Sequence, residues 1–220
     1  RSVIGLPATK GPLTSRTVDE FVDEVSRDSP APGGGSIAAL AGSLGAALSS
    51  MVANLTFTKR KYRKRRAEME TIAIEAQRLK DDLLRAVDED TEAFESVIAA
   101  LRLPQGTPEQ EKIRAVAIEA GYRHAIEVPL NSAELCLEVM RLALKAAHRG
   151  LPAGVTNAGT AVWMARAGFE GAILNVRINL SEIKDEKWRS AIEERILLLR
   201  KDAESLLEQC QQQLEEILGS

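Results

Sequence analysis

Asp90 occupies a position where a carboxylate is costly. Across residues 67–101, Met69, Ala76, Leu83, Asp90 and Val97 recur every seven residues, with Ile72, Leu79, Ala86, Ala93 and Ala100 at the partner positions. A helix over this stretch therefore carries Asp90 on its apolar seam, while Asp88, Glu89 and Glu92 fall off it and are expected in water. A carboxylate on a buried face must find a hydrogen-bonding partner, line a polar cleft or hold its proton to higher pH. The chemistry it offers is proton transfer, since one carboxyl group can take a proton from one atom of a substrate and give it to another. The structural alternative is a buried cap or a register-setting polar group.

Three other stretches offer binding rather than proton transfer. In Ser29-Pro30-Ala31-Pro32-Gly33-Gly34-Gly35-Ser36 the prolines hold the backbone extended. The three glycines let it turn through dihedrals closed to other residues and approach a ligand closely, and Ser36 is expected to cap the next helix. The outward N–H groups of such a helix end attract carboxylate or phosphate; a flexible connector is the plainer reading. Lys59, Arg60, Lys61, Arg63, Lys64, Arg65 and Arg66, with Tyr62 among them, read either as cations complementing a helix C-terminus or as a landing site for a polyanion. After the break at Gly150-Leu151-Pro152-Ala153-Gly154-Val155-Thr156-Asn157, Thr156 or Asn157 is expected to cap a small-residue helix. On that helix Gly171, Asn175 and Asn179 share one face, with Arg177 in the same terminal turn.

The elements that must position these groups are all helical. Thr17-Val18-Asp19-Glu20 has capping-box spacing and opens a short helix ending before Pro30. From Ile37, the residues Ala38, Gly42, Ala46, Ser50 and Asn54 repeat every four, beside a row of Leu40, Leu44, Leu48 and Val52. That helix is apolar nearly all round and is expected to be the buried centre. Thr107-Pro108-Glu109-Gln110 caps a helix predicted to run to about His148 with a kink at Pro129. Asp185 caps the last, where Ile192, Ile196, Leu199, Ala203, Leu206, Cys210 and Ile217 mark a stripe. No useful stretch alternates with period two, so the fold class is all-α, an up-and-down bundle of about five to six helices. Residues 1–15 read as a leader or interdomain linker and 16–220 as one helical domain.

Composition narrows the partners. The 220 residues carry a net charge of -3, which gives no reason to expect nucleic acid or an anionic membrane. The small and hydroxyl residues after Ile37 argue against a membrane span there. Cys136 and Cys210 read as reduced core thiols, which fits a cytoplasmic protein; with only His124 and His148 beside them, no zinc site is expected. The chain begins at Arg1 and reads as a piece cut from a longer protein.

Seven motifs in order resemble one family. They are Thr17-Val18-Asp19-Glu20-Phe21; Pro30-Ala31-Pro32-Gly33-Gly34-Gly35-Ser36; Met51-Val52-Ala53-Asn54-Leu55-Thr56; Lys59-Arg60-Lys61-Tyr62; Val87-Asp88-Glu89-Asp90-Thr91-Glu92-Ala93-Phe94; Val128-Pro129-Leu130; and Asn175-Val176-Arg177-Ile178-Asn179-Leu180. Together they resemble the formiminotetrahydrofolate cyclodeaminase and methenyltetrahydrofolate cyclohydrolase family. The resemblance implies a homodimeric all-α bundle acting on a tetrahydrofolate derivative, often polyglutamylated, with no prosthetic group or metal. It also makes an upstream formiminotransferase domain the expectation, and it places the family's catalytic aspartate on Asp90. Asn54 and Tyr62 come in as substrate contacts with their motifs. Asn157, Asn175 and Asn179 would orient the pteridine or formimino group. Lys59, Lys61, Arg177 and the N–H groups of Gly33, Gly34, Gly35 and Ser36 would hold glutamate carboxylates. One stretch departs from the pattern: Leu151 and Asn157 of the Thr156-Asn157 pair stand where such proteins usually carry asparagine and aspartate.

The reaction implied first is conversion of 5-formiminotetrahydrofolate to 5,10-methenyltetrahydrofolate and ammonia. Cyclohydrolase activity on the methenyl compound, and a non-catalytic folate-binding or scaffolding bundle, are the alternatives.

Overall fold

The computed structural model describes residues 11–219, so the first ten residues of the expected leader lie outside it. Six α-helices follow in order: α1 Val18–Val25, α2 Gly34–Phe57, α3 Arg66–Leu101, α4 Pro108–Arg149, α5 Val155–Leu180 and α6 Glu186–Leu218. Short 3-10 turns at Leu13–Ser15, Arg60–Arg65 and Pro152–Gly154 precede α1, α3 and α5. Among the described residues there is no strand, and the chain forms the expected helical bundle.

α2 is the centre because it is thin. It packs against α3, α4 and α5 through Ala38, Gly42, Ala46 and Ala53, all buried. A side-chain carbon on Gly45 would sit 2.7 Å from the Ala161 carbonyl oxygen, and one on Gly168 2.5 Å from that of Ala38. Only glycine lets α2 and α5 run this close. Larger side chains fill the space between the outer helices: Met69, Leu79 and Leu83 from α3, Ile126, Leu137 and Met140 from α4, and Phe169 and Ile173 from α5 are fully buried. Each stabilises the fold by roughly 1.5–3 kcal/mol relative to exposure. Cys136 lies in the same core, and burial pushes its thiol up to about 12.

Several sequence expectations change. α2 is not buried all round, for Ile37, Leu44, Met51 and Leu55 are exposed along one side. It is long and apolar enough to cross a membrane by composition, yet its small-residue face is packed inside the bundle. Its N-cap is Gly33, and Ser36 sits within the first turn. The N-cap of α5 is likewise Gly154, with Thr156 and Asn157 inside the helix. α4 runs from Pro108 to Arg149 with Pro129 inside it, close to the expected end at His148. Ile217 is exposed rather than part of the α6 stripe. The caps at Thr107 and Asp185 form as expected, accepting the N–H groups of Gln110 and Trp188 at 3.3 and 3.1 Å.

Candidate active site

The first turn of α2 meets the middle of α3 at Asp90. The N-terminal N–H groups of a helix carry partial positive charge and lack helical partners. Here the carboxylate they meet belongs to the protein: the Ser36 backbone N–H and hydroxyl both bond Asp90, the hydroxyl at 3.1 Å from Oδ2. A side-chain carbon on Gly35 would fall 2.6 Å from Asp90 Oδ2, and one on Gly34 would fall 2.9 Å from Asn175 Nδ2. The glycines therefore supply space, not unusual dihedrals. Gly33 has φ -120° and ψ -158°, and among the described residues only Gly11 and Gly219 have positive φ.

Asp90 is half-buried, as the seam position requires. Burial raises its pKa above the ordinary 3.8, and the two Ser36 hydrogen bonds pull it part of the way back. A half-buried carboxyl with a raised pKa and, among the described residues, no ion pair to a cation suits general acid–base work. Asn175 stands across Gly34, its amide donating to the Gly171 carbonyl at 2.8 Å and leaving its side-chain oxygen for other partners. One helical turn on, Asn179 donates to the Ala125 carbonyl at 2.8 Å, which fixes α5 against α4. Arg177, between the two, points outward and is exposed.

Asp88 behaves differently from its sequence expectation. It is half-buried and accepts the Leu13 N–H at 2.6 Å and the Thr14 hydroxyl at 2.8 Å, anchoring the segment before α1 to the site helix. A cavity of about 880 Å³ lies beyond, between this segment, Pro30–Pro32 and the Thr91, Phe94 and Ile98 face of α3. Thr91 links the two regions, because its hydroxyl is 3.3 Å from that of Ser36. Thr91 and Asp88 lie inside the motif that marks Asp90, yet the helical spacing alone assigns neither of them to the site.

The remaining candidates gather at the other end of α2. Asn54 is 18 residues from Ser36, about 27 Å along the helix axis. Its amide donates to the Ser50 hydroxyl at 3.3 Å. Lys59 and Lys61 follow, exposed, and Tyr62 is flanked by Lys61 and Arg65 at 5.8 and 5.7 Å from its ring centre. The loop before α5 is tied to this end by the Leu151 N–H donating to Thr56 Oγ1 at 2.9 Å, so Thr156 and Asn157 belong here too. One chain thus presents two clusters: Gly33, Gly34, Gly35, Ser36, Asp90, Asn175 and Asn179 at one end, and Asn54, Lys59, Lys61, Tyr62, Thr156 and Asn157 at the other.

Residues 17–197 match the family model described as formiminotransferase-cyclodeaminase. The chain belongs to this family. It is 37% identical over 193 residues to a methenyltetrahydrofolate cyclohydrolase of Methylorubrum extorquens, covering 88% of this chain and 89% of the relative. It is 35% identical over 191 residues to the formimidoyltransferase-cyclodeaminase of Gallus gallus, covering 87% of this chain but 35% of that longer protein. Among solved structures, formiminotetrahydrofolate cyclodeaminase from Thermotoga maritima superposes with a TM-score of 0.83 at 27% identity, over 93% of this chain and 98% of the other. This formiminotransferase-cyclodeaminase family member therefore shares its fold with a folate enzyme and its sequence with folate enzymes of two named activities. Asp90 lies within the matched residues 17–197.

Proposed function

We propose that the chain is a formiminotetrahydrofolate cyclodeaminase with Asp90 as its acid–base group. The observation that carries this is the Asp90 carboxyl, raised in pKa by burial and held by Ser36 at the N-terminus of α2. In the reaction, N10 of the folate attacks the carbon of the formimino group, whose nitrogen is protonated, and a C–N bond forms as the C=N double bond opens. The tetrahedral intermediate loses a proton from N10 and gains one at the formimino nitrogen, whose bond to carbon then breaks to release ammonia. Asp90 takes the first proton and delivers it to the second nitrogen, ending as it began. In this reading the Asn175 side-chain oxygen, whose amide N–H is bonded to the Gly171 carbonyl, accepts from the departing amine or the pteridine.

The second reading, cyclohydrolase, is favoured by the 37% identity to a relative of that name over nearly the whole of both chains. There water attacks the methenyl carbon and gives up both protons as the formyl C=O forms: the same carboxyl moves one from the attacking oxygen to the departing N5, and the other is released to solvent. Offering the chain each folate separates the two. Ammonia release with growth of the methenyl absorbance supports the first, and loss of methenyl absorbance alone supports the second. Neither change, with folate still bound, leaves a non-catalytic binding bundle.

We further infer that a two-fold dimer completes the site. Ile37, Leu44, Met51 and Leu55 of α2 are exposed, and on α5, which packs against α2, Trp163, Leu174 and Ile178 are 47%, 60% and 71% exposed. A face this apolar calls for a partner. Pairing it about a two-fold axis across α2 would run the two α2 helices antiparallel. The Asn54, Lys59 and Lys61 end of one chain would then lie by the Asp90 and Asn175 end of the other. That would bring the two clusters, about 27 Å apart on one chain, together across the interface, with the lysines left for the carboxylates of a polyglutamate tail.

A further inference from the structure

We propose that Ser36 is the positioning residue of the acid–base site, its hydroxyl proton turning between the Val87 carbonyl oxygen and Asp90 Oδ2 as Asp90 gains and loses its own proton. The inference rests on Asp90 exchanging a proton with substrate and holds for either folate reaction.

The argument is a count of donors. Ser36 is fully buried, so its hydroxyl has no water to turn to. Its Oγ lies 2.9 Å from the Val87 carbonyl oxygen, 3.1 Å from Asp90 Oδ2 and 3.3 Å from Thr91 Oγ1. A hydroxyl has one proton to give and two lone pairs. While that proton points at Val87, which only accepts, the contact with Oδ2 is a hydrogen bond only if Asp90 is the donor, hence protonated. When Asp90 ionises, two bare oxygens would face each other, and the Ser36 proton turns to Oδ2. The Val87 carbonyl is not orphaned, because in a helix it also accepts the N–H four residues on, that of Thr91. The Thr91 hydroxyl can donate to Ser36 in either state.

Both protonation states of Asp90 therefore have a complete set of hydrogen bonds with no heavy atom displaced. This suits a carboxyl that must take a proton from the attacking group and return it to the departing nitrogen without swinging between the two. Ser36 keeps its own proton throughout, and the only proton transferred to or from substrate is that of Asp90. The surroundings leave this pair in charge. α2 holds no charged residue. On α3, Asp88 is taken by Leu13 and Thr14, and Glu89 and Glu92 are exposed. On α4, His124 and Glu127 are exposed, as is Arg177 on α5; before and within α1, Arg16 and Glu24 pair with each other at 2.7 Å.

The test is Ser36→Ala, read by the pH profile of kcat and by direct carbon-13 NMR titration of the Asp90 carboxyl, beside the thermal midpoint and folate affinity. Losing one hydrogen bond to a charged group should move the Asp90 titration and the acid limb of the profile upward by about 1 to 2 pH units. At neutral pH kcat should fall on the order of tenfold, with folate affinity kept. Ser36→Cys retains the volume with a weaker donor and should give an intermediate shift in the same direction, which serves as the readout if the Ala variant does not fold. An unmoved titration and limb in a folded variant overturn the inference, whatever happens to the rate. Asp90→Asn run alongside separates the failures. If it is inactive while the Ser36 variants titrate normally, only this inference falls; if it is active, the acid–base reading beneath it falls as well.

Discussion

Gly35→Ala should inactivate the protein while leaving it folded. The added carbon would lie 2.5 Å from Asp90 Cγ and 2.6 Å from Oδ2, so the carboxyl must retreat by roughly 1 Å to reach ordinary contact. What it strikes is the end of a side chain with two rotatable bonds rather than backbone, and the chain yields by turning Asp90 aside. Overpacking costs about 1 kcal/mol at the low end, while alanine gains up to about 1 kcal/mol over glycine inside a helix, so the two nearly cancel. The activity cannot be compensated in this way, because a misplacement of about 1 Å at the reacting group costs on the order of 10²-fold. Gly45→Ala is the control on the same helix. Its added carbon meets the Ala161 backbone oxygen at 2.7 Å and Val139 at 3.2 Å. α5 must then move, stability should fall by roughly 1–3 kcal/mol, and each kcal/mol should lower the midpoint by about 2–4 °C in a chain of this length. Turnover with both folates, corrected for folded fraction, and thermal midpoints by circular dichroism give the comparison. The reasoning is refuted if Gly35→Ala turns over normally, or if it loses more stability than Gly45→Ala.

Three further outcomes follow from the same structure. Lys59→Ala with Lys61→Ala should weaken a polyglutamylated folate more than the monoglutamate, with the difference shrinking in higher salt; equal losses would leave these lysines as solvated cations. Leu44→Glu should put a charge into the exposed α2 face and yield a folded monomer of reduced activity by sedimentation, whereas an active monomer would refute the shared site. For Asp90, the folded-state pKa is raised above 3.8, so the unfolded chain releases this proton more readily and ionisation favours unfolding. The stability this group contributes is fully present below the unfolded pKa and is lost as pH rises through the folded one. Asp90→Asn should therefore melt above the unchanged protein at neutral pH, with the gap closing at pH 3 to 4 in paired melting curves; a constant gap would contradict the shift.

Much of this was legible from residue spacing. The seam of α3 is read from Met69, Ile72, Leu79 and Leu83, and the same register brings Asp90 inward. The small residues of α2 announce a close-packed helix, but not which side packs. Period-four rows of Ala38, Gly42 and Ala46 beside Leu40, Leu44 and Leu48 look equally apolar, and the preference for backbone approach over leucine burial is set by Gly168 and Ala161 on another helix. Ser36 reads as a cap for a related reason. Serine after glycine looks like a cap, and only the crossing of α3 reveals that its hydroxyl is spent on Val87 and Asp90. The division of the candidate residues between two ends was invisible because it depends on α2 and α5 running antiparallel. Asp88 looked solvent-facing because its partners, Leu13 and Thr14, lie more than seventy residues away.

Turnover of Asp90→Asn, measured with both folates on protein whose folding and folate affinity are checked in the same preparation, bears most directly on the role assigned to this carboxyl. Asparagine keeps the size and the Ser36 contact but carries no exchangeable acid proton. Activity should fall on the order of 10²-fold or more with folate still bound. A folded Asp90→Asn protein that turns over either folate at near-normal rate would contradict the mechanism.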